Sequence, residues 1–126
     1  MLLIDSDVLI WYLRGNKKAY ALIEAQDGFC LSVVTYMELL QGMRNKKELV
    51  LLRAAFRRWR AKILFLNEEV STKAMFFMEQ HYLSHALELA DAFIGATAFV
   101  HRLPLLTGNV KHYKIIRGLE VVAFRA

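Results

Sequence analysis

The sequence predicts an α/β protein in which helices cover a central parallel sheet. Short apolar runs, each followed at once by polar side chains, alternate with stretches of helical periodicity along the whole chain. Such runs suit strands that are buried on both faces of a parallel sheet. The chain has 126 residues, a length that corresponds to a single domain over residues 1–126 with a core of its own.

The composition excludes several classes of protein. The longest nearly apolar stretch, Leu89 to Val100, contains Asp91 and is shorter than the roughly 20 apolar residues of a transmembrane helix. The amino terminus lacks the basic lead of a signal peptide. Cys30 is the single cysteine, which excludes a disulfide framework and a thiolate metal cluster. We therefore expect a cytoplasmic protein with no membrane partner, and the excess of 17 basic over 12 acidic residues favours an anionic partner such as nucleic acid.

The first predicted strand runs from Met1 to Ile4 and ends directly before Asp5. In open α/β sheets, sites form at the carboxyl ends of the strands, so Asp5 is predicted to lie at the mouth of a crevice. Alternatively, Asp5 or Ser6 only caps the helix predicted over Val8 to Leu13, because both residue types favour the N-cap position. For Asp5 alone capping is the simpler explanation, but carboxylates recur at later element ends.

A second helix is predicted from about Lys17 to Ala25 and a second strand over Phe29 to Val34. Thr35 then opens a third helix, and its spacing to Glu38 matches a capping box, in which Glu38 folds back onto its own helix terminus. The alternative is that Glu38, like Asp5, follows a strand and points into the same crevice. The local sequence leaves both interpretations open.

The stretch from Asn45 to Ile63 has the clearest helical periodicity in the chain. Its apolar side chains recur at spacings of three and four, namely Leu49, Leu52, Phe56, Trp59 and Ile63. Its remaining surface is basic, with Arg44, Lys46, Lys47, Arg53, Arg57, Arg58, Arg60 and Lys62 against the single acid Glu48. We expect Arg53, Arg57 and Arg60 to share one helical face and to contact nucleic-acid phosphates.

The second half of the chain repeats the pattern of strand followed by polar residues. A third strand is predicted over Ile63 to Leu66, a helix after Glu68, a fourth strand over Pro104 to Leu106 and an edge strand over Val121 to Phe124. Between them, an almost wholly apolar helix over Leu87 to Phe99 contains Asp91. A buried carboxylate is costly unless it caps, pairs or binds a cation.

The four histidines are scattered without the spacing of a zinc site and are expected at the surface. Asp5, Glu38 and Asp91 each lie near a sheet-facing apolar segment, and Asn109 follows the fourth strand. Carboxylates gathered in one crevice raise one another's pKa and call for a divalent cation. A site made only of oxygen ligands suits Mg²⁺, with Mn²⁺ as a possible substitute. Beside a basic surface, such a site predicts metal-dependent hydrolysis of phosphodiester bonds.

Four segments carry a family resemblance, in the order Leu3–Leu9, Ser32–Leu39, Leu89–Ala98 and Leu106–Tyr113. Together they resemble the PIN-domain ribonucleases, and most closely the VapC-type toxins of toxin–antitoxin pairs. The resemblance covers essentially the whole chain and implies a three-layer α/β/α fold, Mg²⁺-dependent endoribonuclease activity on RNA, a homodimer and a small antitoxin partner. It also implies that Asp5, Glu38 and Asp91 form the catalytic metal site, with support from Ser6, Thr107 and Asn109. Many family members carry a fourth acid where this chain has Asn109, which offers a carbonyl oxygen without charge and weakens the case for a second metal ion.

Two other functions compete with this hypothesis. Asp5 and Asp7 after a strand also resemble the haloacid-dehalogenase phosphatases, but that family needs a lysine and an acidic pair after its threonine motif. Glu120 is the only acidic residue downstream of Asn109, so the acidic pair is missing. A non-catalytic nucleic-acid-binding module would use the basic helix equally well, but it leaves the three acids unexplained.

Large apolar side chains in the amino-terminal half suggest where the antitoxin binds, namely Trp11, Tyr12, Leu39, Leu40 and Met43. If some of them line a groove, an amphipathic helix can dock in it through regularly spaced apolar anchors. An Arg or Lys of that partner would then supply positive charge to the acidic site in place of the metal.

Overall fold

The computed structural model describes residues 1–126 and contains one five-stranded, fully parallel sheet with the strand order β3-β2-β1-β4-β5. The strands are β1 Leu3–Ile4, β2 Phe29–Ser32, β3 Ala61–Leu64, β4 Leu105–Thr107 and β5 Val121–Ala123. The first strand of the chain is thus the central strand of the sheet. Leu3 is in register with Cys30 of β2 on one side and with Leu105 of β4 on the other.

Seven helices connect the strands: α1 Ser6–Leu13, α2 Lys17–Glu24, α3 Val33–Gln41, α4 Lys46–Trp59, α5 Glu68–His85, α6 Leu89–His101 and α7 Val110–Tyr113. None of them combines the length and the apolarity that crossing a membrane requires. The parallel sheet and its alternation with helices confirm the predicted α/β class.

The helices form a layer on each face of the sheet because successive strand residues point to opposite faces. Leu3 and Leu105 belong to the core shared with α5 and α6, whereas Ile4 and Leu106 belong to the core shared with α1 to α4. Both faces of β1 and β4 are therefore fully covered by apolar side chains. This arrangement confirms the three-layer α/β/α architecture.

Helix α3 begins two residues before the predicted position. Ser32 is its N-cap, in extended conformation, and the Ser32 hydroxyl accepts a hydrogen bond from the Val34 N–H at 3.1 Å. Thr35 therefore lies inside the helix and is buried. The predicted capping box between Thr35 and Glu38 is wrong, because the serine that ends β2 already supplies the cap.

The prediction also placed the end of α4 and the start of β3 too late. Helix α4 ends at Trp59, Arg60 adopts the left-handed conformation with φ 54°, and β3 begins at Ala61. Arg60 thus lies outside the helix, and the prediction that it shares a helical face with Arg53 and Arg57 is wrong. A left-handed residue directly after the buried Trp59 turns the chain into the sheet sooner than helical periodicity suggests.

Candidate metal site at the carboxyl edge of the sheet

Asp5 is fixed at the carboxyl end of the central strand. Its Oδ1 accepts a hydrogen bond from the Ser6 N–H at 2.8 Å, and its Oδ2 accepts one from the Thr107 hydroxyl at 2.7 Å. The two partners come from the start of α1 and the end of β4, so the pairing of β1 with β4 builds this contact. The Asp5 residue is only 5% exposed.

The buried position changes the acidity of Asp5. Burial, assisted by the charge of Asp7, raises its pKa to about 6, although hydrogen bonds from Thr107, Ser6 and Tyr113 act in the opposite direction. Burial disfavours the charged form of a carboxyl group, whereas a nearby cation favours it. A cation bound beside Asp5 would therefore stabilise the charged form of its carboxyl group.

Glu38 reaches Asp5 through the neighbouring serine. It lies in the middle of α3, and its Oε1 accepts a hydrogen bond of 2.6 Å from the Ser6 hydroxyl. The same hydroxyl is 3.1 Å from the Thr35 hydroxyl, which fixes the position of Ser6. Of the two interpretations of Glu38, the structure supports the one in which its side chain faces the crevice.

Asp91 lies in the first turn of α6, and its side chain is 15% exposed. Both of its oxygens have partners on α7: the Tyr113 hydroxyl donates to Oδ1 at 3.3 Å, and the His112 Nδ1 lies 3.1 Å from Oδ2. His112 lies at the surface, as expected for the histidines, but it also has a partner in the site. Its side chain is half exposed, but α7 places one ring nitrogen against the acid.

Sequence reasoning assigned Asp7 no role in the site. Its Oδ1 accepts a hydrogen bond from the Val8 N–H, and its Oδ2 accepts one of 2.8 Å from the Gly108 N–H. A Cβ at position 108 would lie 2.5 Å from that oxygen, so the contact requires glycine. Burial raises the pKa of Asp7. Asp7 lies in the first turn of α1, two residues after Asp5, and this short spacing was the available signal that it lies near the site.

The three predicted supporting residues lie at the same edge of the sheet. Ser6 and Thr107 contact the acids directly. The Asn109 backbone N–H donates to the Thr107 hydroxyl at 2.9 Å, and its side chain makes no hydrogen bond. Asn109 thus joins this network through its backbone alone.

The charges of the site are not compensated by strong cations. No lysine or arginine forms a salt bridge with Asp5, Asp7, Glu38 or Asp91. Oxygen donors with excess negative charge are the ligands that Mg²⁺ and Mn²⁺ prefer, so the donor set fits such an ion. The side chains do not yet converge, because no three acids, histidines or cysteines surround one point at ligand distance. Joint binding of an ion by Asp5, Glu38 and Asp91 therefore requires a side-chain movement, for which Glu38 is exposed enough.

A cavity of about 580 Å³ opens beside Glu38, between α1, α3 and α4. It is lined by Leu39 and Met43, as predicted for the apolar groove, together with Ile10, Leu13, Leu51 and Leu52. Trp11, Tyr12 and Leu40 do not line it, so two of the five candidate side chains do. Tyr12 instead lies in the core, with its hydroxyl bound to Glu24.

The comparisons with known proteins agree with this fold. The family described as PIN domain matches residues 2–117. Ribonuclease VapC10 of Mycobacterium tuberculosis is 37% identical to this chain in an alignment that covers 95% of this chain and 91% of the relative. Ribonuclease VapC1 of Rickettsia felis is 32% identical in an alignment that covers 96% of this chain and 94% of the relative.

A solved toxin–antitoxin complex from Klebsiella pneumoniae contains a chain with 29% identity and a TM-score of 0.77, and the match covers 98% of this chain and 97% of that one. The family match spans most of the chain, and its relatives align over nearly their full length. This chain therefore belongs to the PIN-domain family and is a homologue of the VapC ribonucleases.

Proposed function

We propose that this protein is a VapC-type endoribonuclease, the toxin of a toxin–antitoxin pair, and that it hydrolyses RNA phosphodiester bonds with Mg²⁺ or Mn²⁺. The observation that carries the proposal is the set of carboxylates at the carboxyl edge of the sheet, which have no lysine or arginine partner. Relatives at 37% and 32% identity bear the name ribonuclease and support the same substrate class.

Asp5, Glu38 and Asp91 would hold the ion, which supplies an activated water and neutralises charge on the attacked phosphate. Thr107 and the Ser6 backbone hold the Asp5 carboxylate in one orientation. The Ser6 hydroxyl links Glu38 to the same strand end. Asp7 holds the Gly108 backbone and with it the end of β4 that carries Thr107. These contacts preorganise the acids on rigid elements, which is what electrostatic catalysis requires.

The direct test uses purified protein and single-stranded or looped RNA. We expect cleavage in Mg²⁺ or Mn²⁺, loss of cleavage in EDTA and recovery when the ion is added back. RNA binding without cleavage under all conditions would favour the non-catalytic binding module. Cleavage that persists in EDTA would contradict the metal mechanism.

For the antitoxin, we propose that a helix of a small partner docks in the cavity beside Glu38. Leu39 and Met43 offer apolar contacts there, and Glu38 offers negative charge to a lysine or arginine, whereas Glu48 is already paired with Arg44. The similar solved chain from Klebsiella pneumoniae comes from a toxin–antitoxin complex, which supports a partner of this kind.

The test for the partner is expression of the chain alone and together with the product of its neighbouring reading frame. We expect growth arrest with the chain alone, and relief either by that product or by Asp5→Asn. Harmless expression of soluble, active protein would contradict the toxin role. If the partner neutralises Met43→Glu as well as it neutralises the unchanged chain, the docking site does not lie in this cavity.

For the oligomeric state we propose a homodimer through α5 and the start of α6. This surface exposes large apolar side chains, with Leu83 83%, Leu89 64% and Met75 63% exposed. We expect Leu83→Gln with Leu89→Gln to shift the protein from dimer to monomer in sedimentation experiments. Val50→Gln is the matched control, because Val50 is 61% exposed on α4, outside this surface. A monomer at every concentration would refute the proposal.

A further inference from the structure

Tyr113 is fully buried, but its hydroxyl lies among the acids of the site. The ring packs on α6 at Gly95, where a Cβ would lie 3.5 Å from the Tyr113 Cδ1 and 3.0 Å from the Ile116 Cδ1. Asp91 and Gly95 are one helical turn apart and share a face of α6. The ring therefore lies along that face and brings its hydroxyl to Asp91.

The hydroxyl can act only as a donor toward these carboxylates. Burial, with the negative charges of Asp5 and Asp91, raises the pKa of Tyr113 far above its usual value. The phenol therefore supplies the proton of its hydrogen bond to Asp91. It donates to the Asp91 Oδ1 at 3.3 Å, and hydrogen bonding to the same hydroxyl lowers the pKa of Asp5.

Asp5 and Asp91 come from different elements, a strand end and a helix start. The Tyr113 hydroxyl donates to Asp91 and lies close enough to Asp5 to lower the pKa of that acid. The other partner of Asp91, His112, is half exposed and reaches Oδ2 from the solvent side. A phenylalanine at position 113 would fill the same space in the core. The hydroxyl is therefore separable from the packing and interacts with the acids alone.

We infer that Tyr113 is a positioning residue, whose buried phenol sets the Asp91 carboxylate relative to Asp5 for binding of the divalent ion. The inference rests on the proposed function, and it means that α7 contributes to metal affinity through Tyr113. Hydrogen-bond partners of ligating side chains typically change metal affinity by about 10- to 100-fold when they are removed. A contact of 3.3 Å places the expected effect at the lower end, about tenfold.

The experiment compares Tyr113→Phe with Tyr12→Phe. Tyr12 is a matched control because it too is buried and its hydroxyl binds a carboxylate, that of Glu24, in the core on the opposite face of the sheet. Mn²⁺ binding is measured by the paramagnetic resonance signal of free Mn²⁺, and thermal melts report folding. Cleavage kinetics separate kcat from KM.

We expect Tyr113→Phe to weaken Mn²⁺ binding about tenfold and to lower kcat at fixed Mn²⁺, with an unchanged KM for RNA and a melting temperature close to that of the unchanged protein. Tyr12→Phe should leave Mn²⁺ affinity unchanged. Equal Mn²⁺ affinity in Tyr113→Phe and the unchanged protein would overturn the inference. Equal losses in both variants would also overturn it, because the loss would then follow core packing.

The same measurement separates this inference from the proposed function. If the unchanged protein binds no Mn²⁺, the metal mechanism fails and the role of Tyr113 fails with it. If the unchanged protein binds Mn²⁺ and cleaves RNA while Tyr113→Phe matches it in both, only the role of Tyr113 is wrong.

Discussion

The two edges of the sheet differ in whether their acidic side chains are paired with arginine or lysine. At the amino edge, where β2 and β3 begin, acids face arginines: Arg60 lies 3.0 Å from Asp27, and Arg58 lies 3.4 Å from Glu24. At the carboxyl edge, Asp5, Glu38 and Asp91 have no arginine or lysine partner.

This difference separates charges that serve the fold from charges that serve a ligand. Exposed ion pairs contribute little to stability, and their partners satisfy one another. Buried acids without a cation cost stability, so they are expected to persist only where they bind something. The acids of the amino edge are therefore already paired, whereas the carboxyl edge keeps negative charge that no lysine or arginine neutralises.

The largest expected effect comes from neutralising one acid at the carboxyl edge, and neutralising one acid at the amino edge is the control. Asp5→Asn and Asp91→Asn should each lower RNA cleavage by about a hundredfold or more, on the scale of losing one preorganised electrostatic group. Asp27→Asn, the control at the amino edge, should cleave at the rate of the unchanged protein. Initial rates on one RNA substrate at saturating Mg²⁺ decide the comparison. Activity retained in both site variants would return Asp5 and Asp91 to structural roles.

A smaller effect is expected from the exposed cations. Three of these cations lie in α7 or within four residues after it and form no salt bridge, namely Lys111, Lys114 and Arg117. Among the arginines predicted to contact RNA, Arg60 is already paired with Asp27. Each lost phosphate contact lowers the salt slope of single-strand binding by about 0.7.

Replacing Lys111, Lys114 and Arg117 together by glutamine should therefore lower the slope of log affinity against log salt concentration by about 2. The same replacement of Arg53, Arg57 and Arg60 should lower this slope by less. The measurement is RNA affinity of inactive Asp5→Asn protein across a salt series. A larger change in the α4 variant would place the RNA path along α4.

The smallest effect is a pH dependence of stability in the metal-free protein. Because the pKa of Asp5 is raised to about 6 in the native state, the native protein keeps a proton that the unfolded chain releases at lower pH. The free energy of unfolding should therefore fall as pH rises from about 4 to 7, with a contribution from Asp5 on the order of 2 to 3 kcal/mol. The raised pKa of Asp7 acts in the same direction.

Urea unfolding of the metal-free protein at several pH values measures this term. Asp5→Asn should be more stable than the unchanged protein at pH 7 and should show a flatter profile, whereas Asp27→Asn should keep the original profile. A site variant that is strongly destabilised at pH 7 would favour the capping role of Asp5.

The fold, and Asp5 and Glu38 as candidates at one edge of the sheet, were predictable because their signals are local. Apolar runs that end in polar residues mark buried parallel strands. The predicted end of β1 at Ile4 is confirmed, whereas β2 ends at Ser32, two residues before its predicted end, and β4 ends at Thr107, one residue after it. The contacts of α7 were not predictable in this way. Tyr113 and His112 appear in the sequence as part of a basic, aromatic segment, and only packing of α7 on α6 brings them to Asp91.

The end of α4 shows the same limit. Helical periodicity continues from Trp59 to Ile63, but the chain leaves the helix at Arg60 because β3 pairs with β2 from Ala61 onward. A sheet partner more than 30 residues away in the chain decides this boundary, and no local pattern records it.

The hydrogen bond between Asp5 and Thr107 joins residues 102 positions apart, so the order of synthesis matters. The central strand leaves the ribosome first, but its neighbour β4 and the α7 residues that touch Asp91 leave much later. A nascent chain that ends before β4 carries all three acids, but it lacks the Thr107 contact to Asp5 and the α7 contacts to Asp91. The complete set of contacts around Asp5 and Asp91 can therefore form only after the segment through Tyr113 has been synthesised.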